Sequence, residues 1–155
     1  MATPPPHRGL RHLALRVTDL KKSRAFYERL FGMKVVWEPD PDNVYFSSGC
    51  DILALHQISE AELADYHRGR GQFLDHVGVI MEDPAAVDEL YALVAGEATE
   101  LGATIVKPPK QHRDGSYSFY VADPDGNVVQ VLYEPTISPL EFTGKESSLN
   151  RPPRS

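Results

Sequence analysis

Hydrophobic and polar residues alternate along residues 10–17, and this spacing predicts a β-strand. One face of the predicted strand is aliphatic, whereas the other carries His12, Ala14 and Arg16. Directly after the strand, apolar residues recur at helical spacing up to residue 31. The pattern therefore predicts a strand that is followed by an amphipathic helix.

The same pattern occurs a second time further along the chain. When His12 is placed on His76, the sequence HLALRVTD aligns with HVGVIMED. In both copies a small residue follows the histidine after two positions, an acidic residue after seven and a tyrosine after fifteen. These matches share one offset, which indicates an internal duplication.

Each repeat predicts one helix with matching ends. Asp19 and Asp83 are predicted N-caps, and Gly32 and Gly102 lie where a left-handed residue ends a helix. The second helical region is longer than the first, so we expect a break near Gly96.

Three strand candidates follow each helix, at residues 33–37, 43–47 and 51–57, and at residues 104–107, 117–122 and 127–133. The second repeat begins with a strand at residues 75–80, and a turn over residues 123–127 joins its last two strands. The expected fold is α+β: two β-α-β-β-β modules form a cupped mixed sheet with helices outside. The expected core residues are Leu13, Leu15, Phe26, Leu30, Val77, Val79, Leu90, Phe119, Val129 and Val131.

Composition and charge exclude several classes of function. The chain has 155 residues, of which 41% are hydrophobic, which suffices for one domain with a core. The formal net charge is −6 without a basic block, so no nucleic-acid partner is expected. No apolar run approaches the ~20 residues that a membrane span needs.

The two ends of the chain differ from its centre. Residues 1–9 are Pro-rich and are expected to form an extended lead-in, and they lack the apolar region of a secretory signal. One domain is expected over residues 10–134, with modules at about 10–57 and 74–134. Residues 135–155 are expected to form a partly flexible extension. The single cysteine, Cys50, fits a reducing compartment, and we expect a cytoplasmic protein.

The repeated architecture resembles the vicinal oxygen chelate superfamily, which includes glyoxalase I, bleomycin and fosfomycin resistance proteins and extradiol dioxygenases. The resemblance covers roughly residues 10–134. Its more specific parts are the strands that carry His12 and His76 and the run YVADPDGNVVQ at residues 120–130.

The resemblance implies a divalent metal in the cup, with ligands from the first and last strands of each module. The corresponding positions are His12, His76, Ala54 and Gln130. Because alanine cannot bind metal, the pattern is similar to that of three-ligand members, which usually have glutamate at the position of Gln130. A neutral amide oxygen is expected to bind the ion more weakly than a carboxylate. Fe(II), Mn(II), Zn(II) and Ni(II) are not distinguished.

Three further residues are candidates for the site. His56 lies two residues beyond Ala54, hence on the same strand face, and a bulge would bring it to the metal. Tyr120 precedes Gln130 by ten residues, the spacing of a tyrosine in extradiol dioxygenases. His112 begins the same hairpin and is a candidate acid or base at the mouth of the cup.

Two functions from different classes remain open. The first is a metal-dependent enzyme that acts on a small substrate with two adjacent oxygens, as a dioxygenase, a lyase or an isomerase. The alternative is a metal-free protein that binds a small molecule between aromatic walls, as bleomycin resistance proteins do. In either case the resemblance implies a homodimer, and pairing of the modules within one chain or across the dimer stays open.

Overall fold

The computed structural model describes residues 11–66 and 74–139. The predicted lead-in and most of the predicted C-terminal extension lie outside the described residues. Within them, the elements follow in the order β1 (His12–Val17), α1 (Leu20–Phe31), β2 (Lys34–Asp40), β3 (Asn43–Ser47), β4 (Ile52–Gln57), α2 (Glu60–Asp65), β5 (Val77–Ile80), α3 (Pro84–Leu101), β6 (Thr104–Gln111), β7 (Tyr117–Ala122) and β8 (Val128–Tyr133).

The strands form two four-stranded mixed sheets. Their orders are β1-β4-β3-β2 and β5-β8-β7-β6, and in each sheet the first strand pairs in parallel with the last strand of its own module. Ala14 lies opposite Ala54, and Gly78 lies opposite Gln130. The predicted α+β class with two β-α-β-β-β modules is therefore confirmed.

The helix ends follow the predicted capping residues. Asp19 accepts a hydrogen bond from the Lys22 amide at 3.0 Å, and Gly32 ends α1 at φ 60°. Asp83 and Gly102 have the same roles in α3. The expected break near Gly96 is wrong, because α3 continues through it. A single exposed glycine costs a helix only about 1 kcal/mol, which the buried face of α3 offsets.

Strands β2 and β6 are longer than the sequence pattern predicts. They extend to Asp40 and Gln111 and include Pro39, Pro108 and Pro109. Both are outer strands with register shifts, and proline is tolerated there because the missing N–H does not interrupt a central ladder. Strand β5, by contrast, begins at residue 77 rather than at residue 75.

One buried cluster includes residues from both modules. Of the expected core residues, Leu13, Val77 and Val79 are partly buried, and the others are buried. Helices α1 and α3 contact each other, which joins the modules. In the described part of the chain, no helix is long and apolar enough to cross a membrane.

Hydrogen bonds between the first and the second module involve the turn at residues 123–127. The Tyr27 hydroxyl donates to Asp123 at 3.0 Å, and the Thr18 amide donates to Asp125 at 2.9 Å. Burial raises the pKa of the Asp123 carboxyl, and burial followed by the charge of Asp123 raises the pKa of Tyr27 well above its ordinary value. The turn therefore fixes the second module to the start of the first helix.

Candidate functional site

Each sheet has one face that is not covered by α1 or α3, and we call it the open face. On the second sheet, the open face carries Gly78, Gln130 and Tyr120 in one row, because Gly78 lies opposite Gln130 and Gln130 opposite Tyr120. His76 precedes β5 and lies beside this row. The imidazole of His76 meets the ring of Tyr120 edge to face, with centroids 5.6 Å apart. Three of the predicted site residues are thus brought together.

The imidazole of His76 is oriented by its neighbour in sequence. Its Nδ1 pairs with the carboxylate of Asp75. The Asp75 side chain is 94% exposed, so this is a surface contact, and it leaves the other ring nitrogen available as in the carboxylate–histidine pairs of metal sites. Nε2 of His76 is therefore the nitrogen that is available to a ligand on the open face.

The side-chain amide of Gln130 is held by a buried serine. Gln130 Nε2 donates to Ser118 Oγ at 3.1 Å, and His112 Nε2 lies 2.8 Å from the same oxygen. Ser118 is only 1% exposed. The structure thus places His112 next to Ser118, at the start of the loop that connects β6 and β7.

A lysine that the sequence pattern did not single out lies in the same row. Lys107 lies opposite Tyr120, and its Nζ is 4.9 Å from the centre of the Tyr120 ring. The equivalent residue of the first sheet is Trp37, opposite Tyr45. The two residues lie on the second strands of their modules, five positions after Gly32 and Gly102, but the bulges in β2 and β6 hide this equivalence from simple alternation.

The first sheet carries His12 at the start of β1, exposed and opposite Ile52. His56 lies opposite Arg16, four residues further along the same strand pair, which corresponds to about 13 Å. The register of β1 and β4 continues without a shift, so the expected bulge that would bring His56 toward His12 is not present. His56 instead pairs with Asn43 through Nδ1.

The remainder of the first open face is aromatic and small. The rings of Trp37 and Tyr45 have centroids 4.7 Å apart, and Ala54 lies opposite both Tyr45 and Ala14. Arg16 pairs with Glu62 at the edge of this surface. The hydrogen bond from Arg16, with those from Ser59, lowers the pKa of Glu62 to about 2.

The predicted metal ligands are divided between the two sheets. His76 and Gln130 share the second open face, whereas His12 lies on the first sheet. Over residues 11–66 and 74–139, no three histidine, cysteine or acidic side chains are grouped as a metal site would require. Strands β1 and β5 are the outer strands of their sheets, and no described strand of one sheet pairs with the other.

Comparison with known proteins agrees with this fold. The chain belongs to the Glyoxalase/Bleomycin resistance protein/Dioxygenase superfamily, whose family model matches residues 9–131. It is 25% identical over 138 residues to the metallothiol transferase FosB of Bacillus licheniformis. This alignment covers 89% of the present chain and 83% of FosB.

Two solved structures illustrate the structural likeness. A glyoxalase-related enzyme from Fulvimarina pelagi has a TM-score of 0.70 at 20% identity, over 90% of this chain and 96% of that one. A lactoylglutathione lyase from Agrobacterium tumefaciens has a TM-score of 0.63 at 27% identity, over 89% of this chain and 100% of that one.

Proposed function

We propose that this protein is a metal-dependent enzyme that acts on a small substrate with two neighbouring oxygens. The observation that carries the proposal is the pair of oriented donors on the second open face. Asp75 leaves Nε2 of His76 available, and Ser118 occupies the nitrogen of the Gln130 amide, which leaves its oxygen available. Histidine nitrogen and a neutral oxygen together suit a first-row divalent ion.

The third donor in this proposal is His12 of a second copy of the chain. His12 and His76 occupy equivalent ends of the outer strands β1 and β5, and both histidines are exposed. Pairing of two chains about a two-fold axis would cover these outer strands and build two identical sites. We therefore propose a homodimer in which each site takes His12 from one chain and His76 and Gln130 from the other.

The protein's own residues would bind and orient the substrate around these donors. A metal held by His12, His76 and Gln130 would supply Lewis-acid chemistry to a substrate oxygen that gains negative charge. Tyr120 and the ammonium of Lys107 lie beside Gln130 in the row, where they would donate to or offset charge on a bound anion. In this proposal Tyr120 contacts the substrate, whereas His112 acts through Ser118.

The names of two relatives favour one branch of the chemistry. FosB is named a metallothiol transferase, and the Agrobacterium protein is named a lactoylglutathione lyase. Both names refer to thiol compounds, which favours transfer or lyase chemistry over dioxygenase chemistry for this chain. We further propose that the protein acts in the cytoplasm, where its single Cys50 would remain a thiol.

A metal-free binding protein is the second candidate, and the first open face favours it. Trp37 is 47% exposed and contacts the half-buried Tyr45, in a row that continues through the buried Ala54 to the exposed Ala14. Small residues next to aromatic rings leave room for a flat ligand, which stacking would hold without a metal.

Calorimetric titration of divalent ions into untagged protein tests the proposal. We expect Fe(II), Mn(II), Zn(II) or Ni(II) to bind wild-type protein, and His12→Ala and His76→Ala each to abolish binding. His56→Ala should retain it, because His56 lies about 13 Å along the strand from the row of His12. Absence of binding to wild-type protein by all four ions would instead favour the metal-free candidate.

A further inference from the structure

With the amide nitrogen of Gln130 toward Ser118, as it lies in the structure, one direction of the hydrogen bonds satisfies Gln130, Ser118 and His112. Gln130 Nε2 is a donor, so Ser118 Oγ must accept at this contact. The hydroxyl of Ser118 then has its single proton to donate, and His112 Nε2, at 2.8 Å, is the acceptor within reach.

Burial makes this direction compulsory rather than optional. Ser118 is 1% exposed, so water does not substitute for a missing partner. If His112 carried its proton on Nε2, Ser118 would accept two hydrogen bonds and its own proton would be left without an acceptor among the described residues. A buried donor without an acceptor is costly. The neutral His112 is therefore the tautomer with its proton on Nδ1.

The β6–β7 hairpin holds His112 in position for this contact. The His112 amide donates to the Ser116 carbonyl at 2.8 Å, and Gln111 Nε2 donates to the same oxygen at 2.9 Å. Asp114 accepts from both the amide and the hydroxyl of Ser116, which lowers the pKa of its carboxyl. The loop thus has its own polar network, which holds the backbone of His112 beside Ser118.

We propose that Ser118 and His112 are positioning residues, which fix the side-chain amide of Gln130 with its oxygen directed to the ligand. The chain of donors runs from Gln130 to Ser118 to His112. When Ser118 donates its proton to His112, it offers Gln130 only a lone pair, and the amide nitrogen is the end of Gln130 that can donate to it. An amide that turned over would direct two N–H groups to the ligand, and these repel a cation. This inference rests on the proposed function for its purpose, but the direction of the hydrogen bonds exists without a metal.

A Ser–His pair at this distance also occurs in nucleophilic catalysis, but these contacts argue against that role. A nucleophilic serine must be reached by its substrate, and Ser118 is buried. Its oxygen also accepts from Gln130, which lowers its ability to attack. Positioning is the role that the burial and both contacts support.

The tautomer of His112 tests the proposal directly and requires no metal. Long-range ¹H–¹⁵N correlation spectra in alkaline buffer, where histidines are neutral, show which ring nitrogen carries the proton. His112→Gln assigns the signal among the six histidines. We expect the proton on Nδ1 in wild-type protein and on Nε2 in Gln130→Glu, because a carboxylate accepts from Ser118 and Ser118 must then accept from His112.

The matched control removes the connecting hydroxyl. In Ser118→Ala the tautomer should no longer respond to Gln130→Glu, and divalent-ion affinity should fall roughly tenfold or more, as it does when groups behind a ligand are lost. A proton on Nε2 of wild-type His112, or a tautomer that Gln130→Glu leaves unchanged, would overturn the proposal. The expected tautomers in a wild-type protein that binds no metal would support the network and refute the proposed function instead.

Discussion

Gln130 is the residue at which this chain departs most from the pattern that its family resemblance implies. It lies in the middle of a strand whose neighbours are aliphatic, and its amide is engaged by Ser118. As a ligand in the proposed site, glutamine would give a neutral oxygen in place of an anionic one. The bound ion would therefore keep more of its positive charge and act as a stronger Lewis acid, at the expense of affinity.

Gln130→Glu should tighten the binding of a divalent ion by about tenfold or more, because a carboxylate attracts a cation more strongly than an amide does. Calorimetric titration of the same ion into wild-type and variant protein measures the difference. Ala95→Glu adds a carboxylate at an exposed position of α3 and controls for net charge. Equal affinities of wild type and Gln130→Glu would remove Gln130 from the ligand set.

Tyr27 is the buried side chain that joins the two modules, and its removal should affect stability alone. Tyr27→Phe leaves the Asp123 carboxylate without one donor, so we expect a loss of about 1–2 kcal/mol in the free energy of unfolding at neutral pH. Tyr91→Phe is the matched control, since no described hydrogen bond involves the Tyr91 hydroxyl. Urea denaturation of both variants measures the difference.

The effect of Tyr27→Phe should also depend on pH. Because the pKa of Tyr27 is raised in the folded state, the unfolded chain ionises first as pH rises past about 10. Ionisation of Tyr27 in the unfolded chain therefore lowers the free energy of unfolding of the wild type in alkali, and the phenylalanine variant has no such group. The difference in free energy of unfolding between wild type and Tyr27→Phe should narrow above about pH 10. A difference that widens there would contradict the raised pKa of Tyr27 in the folded state.

At the scale of elements, the predicted features that agree with the structure are local ones. Asp19, Gly32 and the end of β1 at Val17 follow from short-range capping and alternation, and the structure has them where the sequence predicts them. The short helix α2 was missed, although Ser59 and Glu62 form a capping box that the sequence displays. A six-residue helix has too little apolar periodicity for the hydrophobic pattern to predict it.

Two glycines in helical contexts should respond in opposite directions to the same substitution. Gly96 lies inside α3 with open space around it, so Gly96→Ala should raise stability by about 0.5–1 kcal/mol. Gly32 has φ 60°, so Gly32→Ala should lower it by about 1 kcal/mol although nothing would touch the new methyl group. Thermal melting measures both, and a loss of stability in Gly96→Ala would contradict an unbroken α3.

At the scale of the whole molecule, the sequence predicts the parts better than their assembly. The duplication places His12 and His76 at equivalent positions, and the matched registers of Ala54 and Gln130 agree with it. The position of Lys107 depends on bulges in an outer strand, and the bonds of Asp125 depend on how the modules pack. These relations join residues distant in sequence, so alternation and spacing do not reveal them.

The central claim is a divalent-ion site that two chains build together, with His12 from one and His76 and Gln130 from the other. Co-expressing His12→Ala with His76→Ala under two different affinity tags without histidine gives a mixed dimer that can be purified. If sites form across the dimer, one of its two sites has all its ligands, whereas a site within one chain would be damaged in both copies. We predict two ions per wild-type dimer, none in either variant alone and one per mixed dimer. A mixed dimer without a bound ion, beside a wild type that binds two, would contradict the account.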